Sequence, residues 1–501
     1  MTKKNINRLF YAFITFHLFC WTILPTFLRY TLPLDAMEGT TWGRQLFWGY
    51  DKNPFLNAWL TELAVFLGGK SGWLIYAFGQ LCVIACFWAV YQLGKKMLSP
   101  LYALIAVLLL ETMSNYNIDA IDFNDNTLLL AFWALIIYFF YKALQSQKIK
   151  NWVAVGVFSG LAMMAKYFIV MLFIPMALFL IINPIARQSF KQRGLYLASL
   201  IFIFIILPHA LWLSTHHFIT LTYAFARTQH PANWVMHIKY PLHFTLSYLG
   251  ASIPPLMLFF ALKIGCHTKT SNLVERKILP PFQWQFLIYL GVAPFLCVIL
   301  LSFLTGMALH VGWGQPLLSL GGLVLLARVQ PAVTQKQWKR FLAIFYSVFF
   351  ALLIGYAISL MNAGDSASAN YPGPIIANQL TQQWHDRYHT TLTYVVGPRF
   401  DAGAVSFYST DRPAVYMDAD PLSSFWIDEK TLSKKGALFL WLGSLHDEPA
   451  DWARRFPHLI DPQTLFIPWM RDKKTKPLQL SIAFLSPQDR LKIVNHDRPK
   501  K

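Results

Sequence analysis

Long apolar runs separated by short, often basic connections constrain this chain more than any other feature. Runs near residues 9–29, 72–93, 100–116, 126–141, 150–165, 167–183, 195–213, 243–263, 284–304, 310–327 and 341–361 approach the roughly 20 apolar residues, with about 17 as a lower limit, that a helix needs to cross a bilayer. Across 501 residues, 55% are hydrophobic and 13% charged, against about 25% charged in ordinary soluble domains. The expected fold class is therefore a polytopic α-helical membrane protein with about 11 transmembrane helices. Lys95/Lys96, Lys142/Lys148/Lys150, Arg187/Lys191/Arg193, Lys269/Arg276/Lys277 and Arg328/Lys336/Lys339/Arg340 fall in every second connection, on the side of the N-terminus. The positive-inside rule makes that side cytoplasmic. The net charge of +19 is thus topological, and with no RNA-module signature or basic-aromatic stripe, nucleic acid is not expected as a partner.

Lys3, Lys4 and Arg8 before an apolar stretch resemble a signal peptide. The stretch exceeds the about 7–15 residues of a signal core and no small-residue cleavage site follows, so an uncleaved first span is expected. Asn151 to Ile182 is short for two crossings although both flanks are basic, which predicts two short helices turning near Lys166. An odd number of crossings places the tail outside. The tail begins with a small-residue linker, Asn362 to Asn370, and continues with alternating patterns. These are a helix over Gly373–Tyr388, strand-like Thr391–Val396, a helix over Ala402–Tyr408, and strand-like Ala414–Tyr416 and Gly436–Leu442, which together predict a small C-terminal α/β soluble domain. The expected division is 1–361, a transmembrane domain including an external loop at 30–71, and 362–501. Cys20, Cys82, Cys86 and Cys297 lie in apolar runs and Cys266 in a basic connection. They form no disulfide framework, and Cys82 with Cys86 suits packing better than metal.

The external loop carries Pro33-Leu-Asp35-Ala-Met-Glu38-Gly-Thr-Thr-Trp42 and Trp48-Gly-Tyr50-Asp51-Lys52-Asn-Pro54. Short surface helices are expected here, with Trp42, Trp48 and Trp59 at the membrane interface. Asp35 and Glu38 lie one turn apart, close enough to share a proton or a metal ion. Asp followed by Glu at a helix start is equally a capping pattern, and spacing alone favours the cap. A second external connection, Tyr116 to Asn126, holds Asp119, Asp122, Asn124, Asp125 and Asn126. Its oxygens suit Mg²⁺ or Mn²⁺ and also sugar hydroxyls, or simply cap the next helix. Lys166 interrupts an apolar run, where a lysine is either functional or snorkelling. The segment 214–242 bears His216, His217, Arg227, His230, His237 and Lys239, suited to a phosphate-bearing ligand but lacking zinc spacing. His310 and Trp313 could face a sugar ring, or Trp313 could anchor at the interface. Ala64 to Ser71 satisfies a relaxed phosphate-loop pattern, but it lacks the preceding strand.

Several of these segments together resemble the membrane glycosyltransferases of family 39, of GT-C type. The residues that carry the resemblance are Leu34-Asp35-x-x-Glu38-Gly39 with Trp42-Gly43, Gly49 to Pro54, Phe123-Asn124-x-Asn126, Ala165-Lys166-Tyr167, Pro208-His209-x-x-Trp212 and His310-x-x-Trp313. That family includes lipid A aminoarabinose transferases, protein O-mannosyltransferases and rhizobial core galacturonosyltransferases. The resemblance implies that Asp35 is catalytic or metal-associated and that Lys52 holds a donor phosphate. The chain departs from it at Asn53-Pro54-Phe55, where relatives usually have His-Pro-Pro, and in the spacing of Glu38 from Asp35, where many have adjacent acids.

The implied function is transfer of a sugar from a polyprenyl-phosphate donor to an envelope acceptor, with inversion. The acceptor would be lipid A or lipopolysaccharide core, another glycan or a protein, at the outer face of a bacterial inner membrane. Asp35 and Glu38 are the expected catalytic pair, and Lys52, Arg44 and Lys166 the expected phosphate ligands. Tyr50, Asp122, Asn124, Asn126, His310 and Trp313 are expected at the substrate. Asp35, Glu38 and Asp122 are the candidates for Mg²⁺ or Mn²⁺, with no other cofactor expected. The alternatives are a flippase or transporter for a lipid-linked sugar, which would more commonly show repeated halves, and a surface-polysaccharide polymerase or ligase.

Overall fold

The computed structural model describes residues 2–228, 233–263, 273–274, 278–364, 367–471 and 476–488. The expected cationic residues His230, Lys269, Arg276 and Lys277, and Cys266, lie outside the described residues. The chain divides into two compact units. One comprises Met1–Ile23, Lys52–Leu56 and Tyr76–Tyr356; the other comprises Leu24–Asp51, Asn57–Ile75 and Ala357–Lys501. Most of the first loop therefore groups with the C-terminal region and not, as the sequence suggested, with the membrane helices.

The first unit is helical. Among the described residues, six helices are long and apolar enough to cross a membrane: Lys3–Leu28, Trp73–Met97, Asp125–Ser146, Arg193–Thr215, Pro281–Thr305 and Gln335–Met361. Three further segments pass the same test as bent pairs: Pro100–Glu111 with Ser114–Ile121 at 103°, Tyr167–Ile182 with Pro184–Lys191 at 89°, and Met236–Ala251 with Ile253–Leu262 at 43°. Ile149–Ala165 is a shorter apolar helix. It ends at Lys166, whose backbone is extended (φ −160°, ψ 134°), before a 3₁₀ turn over Tyr167–Ile169. The break thus falls where the shortness of 151–182 required one. The run expected as a span at 310–327 is not one continuous α-helix but a 3₁₀ segment, Val311–Leu318, followed by the short helix Gly321–Val329. Gly312, Gly314 and Pro316 weaken any α-helix there, through backbone entropy and a missing N–H.

Inside this unit lies a polar network that the apolar pattern conceals. His17 Nδ1 sits 2.8 Å from Glu111 Oε2, Trp21 Nε1 donates to Glu111 Oε1 at 3.1 Å, and His17 Nε2 meets Gln80 Oε1 at 2.9 Å. His17, Gln80 and Glu111 are fully buried. Buried ionisable groups persist when paired and hydrogen-bonded, and this network ties together helices Lys3–Leu28, Trp73–Met97 and Pro100–Glu111.

The second unit contains a five-stranded sheet of strands β1 (Tyr394–Gly397), β2 (Ala414–Met417), β3 (Ala437–Leu442), β4 (Leu459–Ile467) and β5 (Leu478–Leu485). The order is β2-β1-β3-β5-β4. β1 pairs in parallel with β2 and β3, and β5 pairs antiparallel with β3 and β4. Its core is apolar and aromatic, with Phe439, Trp441, Trp452 and Phe456 packed together with Val396 and Leu432. The helix Gly373–Tyr388 has the bounds its sequence predicts. Between β1 and β2 runs the helix Arg399–Tyr408, which starts just past the end of β1 with Pro398 at its N-cap. Residues at the carboxyl ends of parallel strands are where α/β sheets usually place function.

The loop forms two short helices, Leu34–Gly43 and Leu56–Gly68. Two glycines one turn apart let them approach closely: a Cβ on Gly43 would lie 2.3 Å from the Ala58 carbonyl oxygen, and one on Gly39 would lie 2.9 Å from Thr61 Oγ1. A Cβ on Gly403 would come within 3.0 Å of Thr41 Oγ1, so helix Arg399–Tyr408 lies against Leu34–Gly43 as well. The spacing Glu38-Gly39-x-x-Trp42-Gly43 thus encodes a helix that tolerates backbone neighbours.

Candidate active site residues

In the second unit, helix Leu34–Gly43 positions the loop acids. Its N-cap is Pro33, with no side-chain cap, and Asp35 is its second residue. Capping by Asp35, which spacing favoured, is therefore not what the structure adopts. A carboxylate in the first turn interacts favourably with the helix dipole, and Asp35 is half-buried.

Glu38 faces elsewhere. Arg399 Nη1 donates to Glu38 Oε1 at 2.5 Å and Arg399 Nη2 donates to Asp51 Oδ2 at 2.7 Å. The side chains of Glu38, Asp51 and Arg399 are 8%, 9% and 22% exposed. Burial alone would lower the Arg399 pKa, but the two carboxylates more than reverse this and hold it above the usual arginine value. The guanidinium lies 5.8 Å from the Trp42 ring centre, and Trp42 stacks on Tyr50 at 5.4 Å and 14°.

Two expectations change here. Trp42 is buried and not interfacial. Tyr50, expected at the substrate, is 0% exposed, and its hydroxyl accepts the Phe47 N–H at 3.2 Å. Burial pushes its pKa upward, so Tyr50 acts as a packing residue.

Arg44 is exposed at the C-terminus of this helix. Partial desolvation of its guanidinium by surrounding protein lowers its pKa first, then the positive charge of Arg412, against a raising influence of Glu62. Arg412 is engaged with Glu62 through two bonds of 2.9 Å.

In the first unit, Lys166 organises the site. Its Nζ lies 2.6 Å from Asp125 Oδ2, donates to Asn126 Oδ1 at 2.5 Å and sits 5.4 Å from the Trp313 ring centre. With side chains 12% and 10% exposed, Lys166 and Asp125 form a sheltered pair. The extended backbone at Lys166, between two helices, aims the amine at the start of helix Asp125–Ser146. Asn124, expected at the substrate, is the N-cap of that helix and accepts from the N–H groups of Asn126 (2.9 Å) and Thr127 (3.1 Å). Asp122 is half-buried at the end of the preceding 3₁₀ turn. His310 is the N-cap of the 3₁₀ segment that carries Trp313, and its Nδ1 accepts the Gly312 N–H at 3.2 Å.

Lys52 Nζ lies 5.9 Å from the Tyr223 ring centre. Two of the resembling segments meet: the Tyr167 hydroxyl and His209 Nε2 are 2.5 Å apart, and Tyr167 also bonds Thr220 Oγ1 at 2.8 Å. His209, Trp212 and His216 continue as a stack. Of the other described histidines of that segment, His237 bonds the Phe303 carbonyl at 2.7 Å and His217 sits at positive φ in a turn.

For a divalent ion the donor set fits poorly. Among the described residues no group of three or more His, Cys, Asp or Glu side chains could hold one, and the Glu38 carboxylate is already neutralised by Arg399. Arg399 was not singled out from sequence, and Asp125 was named among the acids of the second external connection but not as the partner of Lys166. Asp125 had a signal, being the acid beside Asn124 and Asn126. Arg399, 361 residues from Glu38, had none.

The profile of the dolichyl-phosphate-mannose-protein mannosyltransferase family matches residues 52–212. The lipopolysaccharide core galacturonosyltransferase RgtA of Rhizobium johnstonii is 23% identical over 470 residues, covering 87% of this chain and 89% of the relative. The lipid A galacturonosyltransferase RgtD of the same organism is 23% identical over 233 residues, covering 46% of this chain and 48% of the relative. Among solved structures, ArnT from Cupriavidus metallidurans bound to undecaprenyl phosphate shares the fold with a TM-score of 0.64 at 12% identity, covering 95% of this chain and 97% of that one. Taken with the multi-pass helical unit, these likenesses agree with the resemblance to the GT-C-type membrane glycosyltransferases of family 39: part of the chain matches the family model, most of it is similar to RgtA, and its fold is that of ArnT.

Proposed function

We propose that this protein transfers a sugar from a polyprenyl-phosphate donor to an envelope acceptor on the outer face of the cytoplasmic membrane, with inversion at the anomeric carbon. The named activity of RgtA and the undecaprenyl phosphate bound to ArnT support a lipid-phosphate donor and a glycolipid acceptor. The six long helices, the three bent pairs, Ile149–Ala165 and the segment 311–329 would together make eleven crossings, with the N-terminus inside and residues 362–501 outside.

The observation that carries the reading is the position of Asp35: in the first turn of its helix, not the cap, while the neighbouring acids Glu38 and Asp51 hold Arg399. Asp35, the loop acid to which the resemblance points, is assigned to the reaction, with Glu38 in a supporting role. In the reaction an acceptor oxygen attacks the anomeric carbon and the bond from that carbon to the donor phosphate oxygen breaks. The acceptor proton passes to Asp35 as general base. The polyprenyl phosphate departs with its charge met by Lys52, Arg44 and Lys166. Asn126 and Asp125 orient Lys166, and Trp313, His310 and Asp122 are assigned to the sugar. Because the acids fit a divalent ion poorly, no step is assigned to one.

The test is mass spectrometry of lipid A, core and other envelope glycans from cells carrying the wild-type chain, no chain, or Asp35→Ala. The expected result is loss of one sugar in both altered strains at unchanged protein level. Full transfer by Asp35→Ala would refute its assignment as base, and accumulation of untranslocated carrier lipid would identify a flippase instead.

A further inference from the structure

The second unit contains a cavity of about 570 Å³ whose lining includes Leu34, Ser368, Tyr371, Phe400, Asp401 and Trp469. That volume is in the range of small-ligand pockets. Its walls are aromatic, with Phe400 edge-on to Tyr371 at 5.1 Å and 71° and Trp469 edge-on to Tyr371 at 6.2 Å and 72°. One carboxyl, Asp401, lines it at 5% exposure, and among the described residues no lysine or arginine does.

This chemistry selects an occupant. An acyl chain would leave the buried carboxyl facing hydrocarbon, at a cost in desolvation. A phosphate would meet a like charge with no cation among the described residues of the wall. A neutral sugar ring satisfies both constraints, since its apolar face packs on aromatic rings while a hydroxyl donates to the carboxylate.

The cavity also has a defined relation to the loop. Leu34, 56% exposed, lines it and is the residue before Asp35, whose Cα lies about 3.8 Å further along the chain.

We infer that the cavity bounded by Leu34, Tyr371, Phe400, Asp401 and Trp469 is a subsite for an uncharged sugar ring of the acceptor, placing that saccharide beside Asp35. This rests on the transferase reading for its role but not for its binding chemistry. Asp401 accepts a hydroxyl and the rings hold the sugar face, so selectivity against anionic sugars follows from the carboxylate.

The experiment uses the full chain in lipid nanodiscs with methyl α-glucopyranoside, methyl α-mannopyranoside, methyl galacturonoside and octanol as probes, read by saturation-transfer NMR. The expected result is binding of at least one neutral glycoside, weaker binding of the uronate, and no displacement by octanol. Asp401→Asn and Phe400→Leu should each weaken binding about tenfold, or 1.4 kcal/mol. Absence of neutral-glycoside binding, displacement by octanol, or wild-type binding by both Asp401→Asn and Phe400→Leu would overturn the subsite. The two readings fail separately. Glycoside binding without any transfer activity sinks the transferase reading and leaves the subsite standing. Active transfer with an acceptor KM unchanged in both cavity variants sinks the subsite alone.

Discussion

Replacing Arg399 by methionine removes one side chain that neutralises two buried acids. Glu38 and Asp51 have side chains only 8% and 9% exposed, so neither regains full hydration when the guanidinium is lost. Breaking a buried ion pair by deleting one partner typically costs about 3–5 kcal/mol, because the remaining charge is uncompensated. Here two carboxylates are stranded, so the upper part of that range is expected for Arg399→Met, along with loosening of Trp42 and Tyr50. Converting the acids to their amides removes the stranded charge. The triple variant Arg399→Met, Glu38→Gln, Asp51→Asn should therefore recover more than half of the loss, a non-additivity characteristic of groups in one network. The assay is thermal and denaturant unfolding of purified protein followed by tryptophan fluorescence, with sugar transfer measured in parallel. Wild-type stability in Arg399→Met, or a triple variant no more stable than the single one, would refute the clamp as the element that orders the loop.

Three further outcomes follow from the geometry. Lys166→Met should abolish transfer and also destabilise the protein by about 3 kcal/mol by stranding Asp125; adding Asp125→Asn should restore the unfolding midpoint but not transfer, and restored transfer would remove Lys166 from the reaction. Gly43→Ala places a Cβ 2.3 Å from the Ala58 carbonyl oxygen and should cost about 1–3 kcal/mol or more, whereas a melting curve matching wild type would show that the helices separate freely. Burial first, and Asp418 in addition, push the Asp401 pKa up to about 6 from 3.8, against a hydrogen bond from Tyr371. The folded state then holds a proton that the unfolded state releases, so stability falls as pH rises from about 4 to 6, by up to about 3 kcal/mol. Asp401→Asn should flatten that part of the profile and raise stability at pH 7.5, as read by denaturant midpoints at pH 4.5 and 7.5; an unchanged profile would contradict the buried carboxyl.

Local pattern made much of this molecule legible. Helix Gly373–Tyr388 begins at a Gly-Pro step and carries an amphipathic stripe, so its bounds were readable, and the helix break at Lys166 followed from counting residues between two basic flanks. Strand β4 was not readable, because Asp461 sits at positive φ and a bulge with Pro462 interrupts its pairing between Ile460 and Gln463; proline belongs to edges and bulges. The segment after His310 read as one regular helix by hydropathy alone, although its glycines and proline favour a 3₁₀ path. Glu38 was legible as the neighbour of Asp35, whereas its partner Arg399 was not. Asn124 has the capping role that its place before Asp125–Ser146 allowed. In each miss a distant contact or a backbone preference overrode a local signal.

The Arg399 bonds close loops of 361 and 348 residues, which has a consequence for biogenesis. During synthesis at about 5–20 residues per second, the segment bearing Glu38 and Asp51 leaves the ribosome tens of seconds before its counter-ion exists. Throughout that interval these two acids cannot be sheltered in their final form. The order of the first loop is thus a late event that only a nearly complete polypeptide can reach, and a prematurely terminated chain ending before Arg399 would keep that loop unassembled.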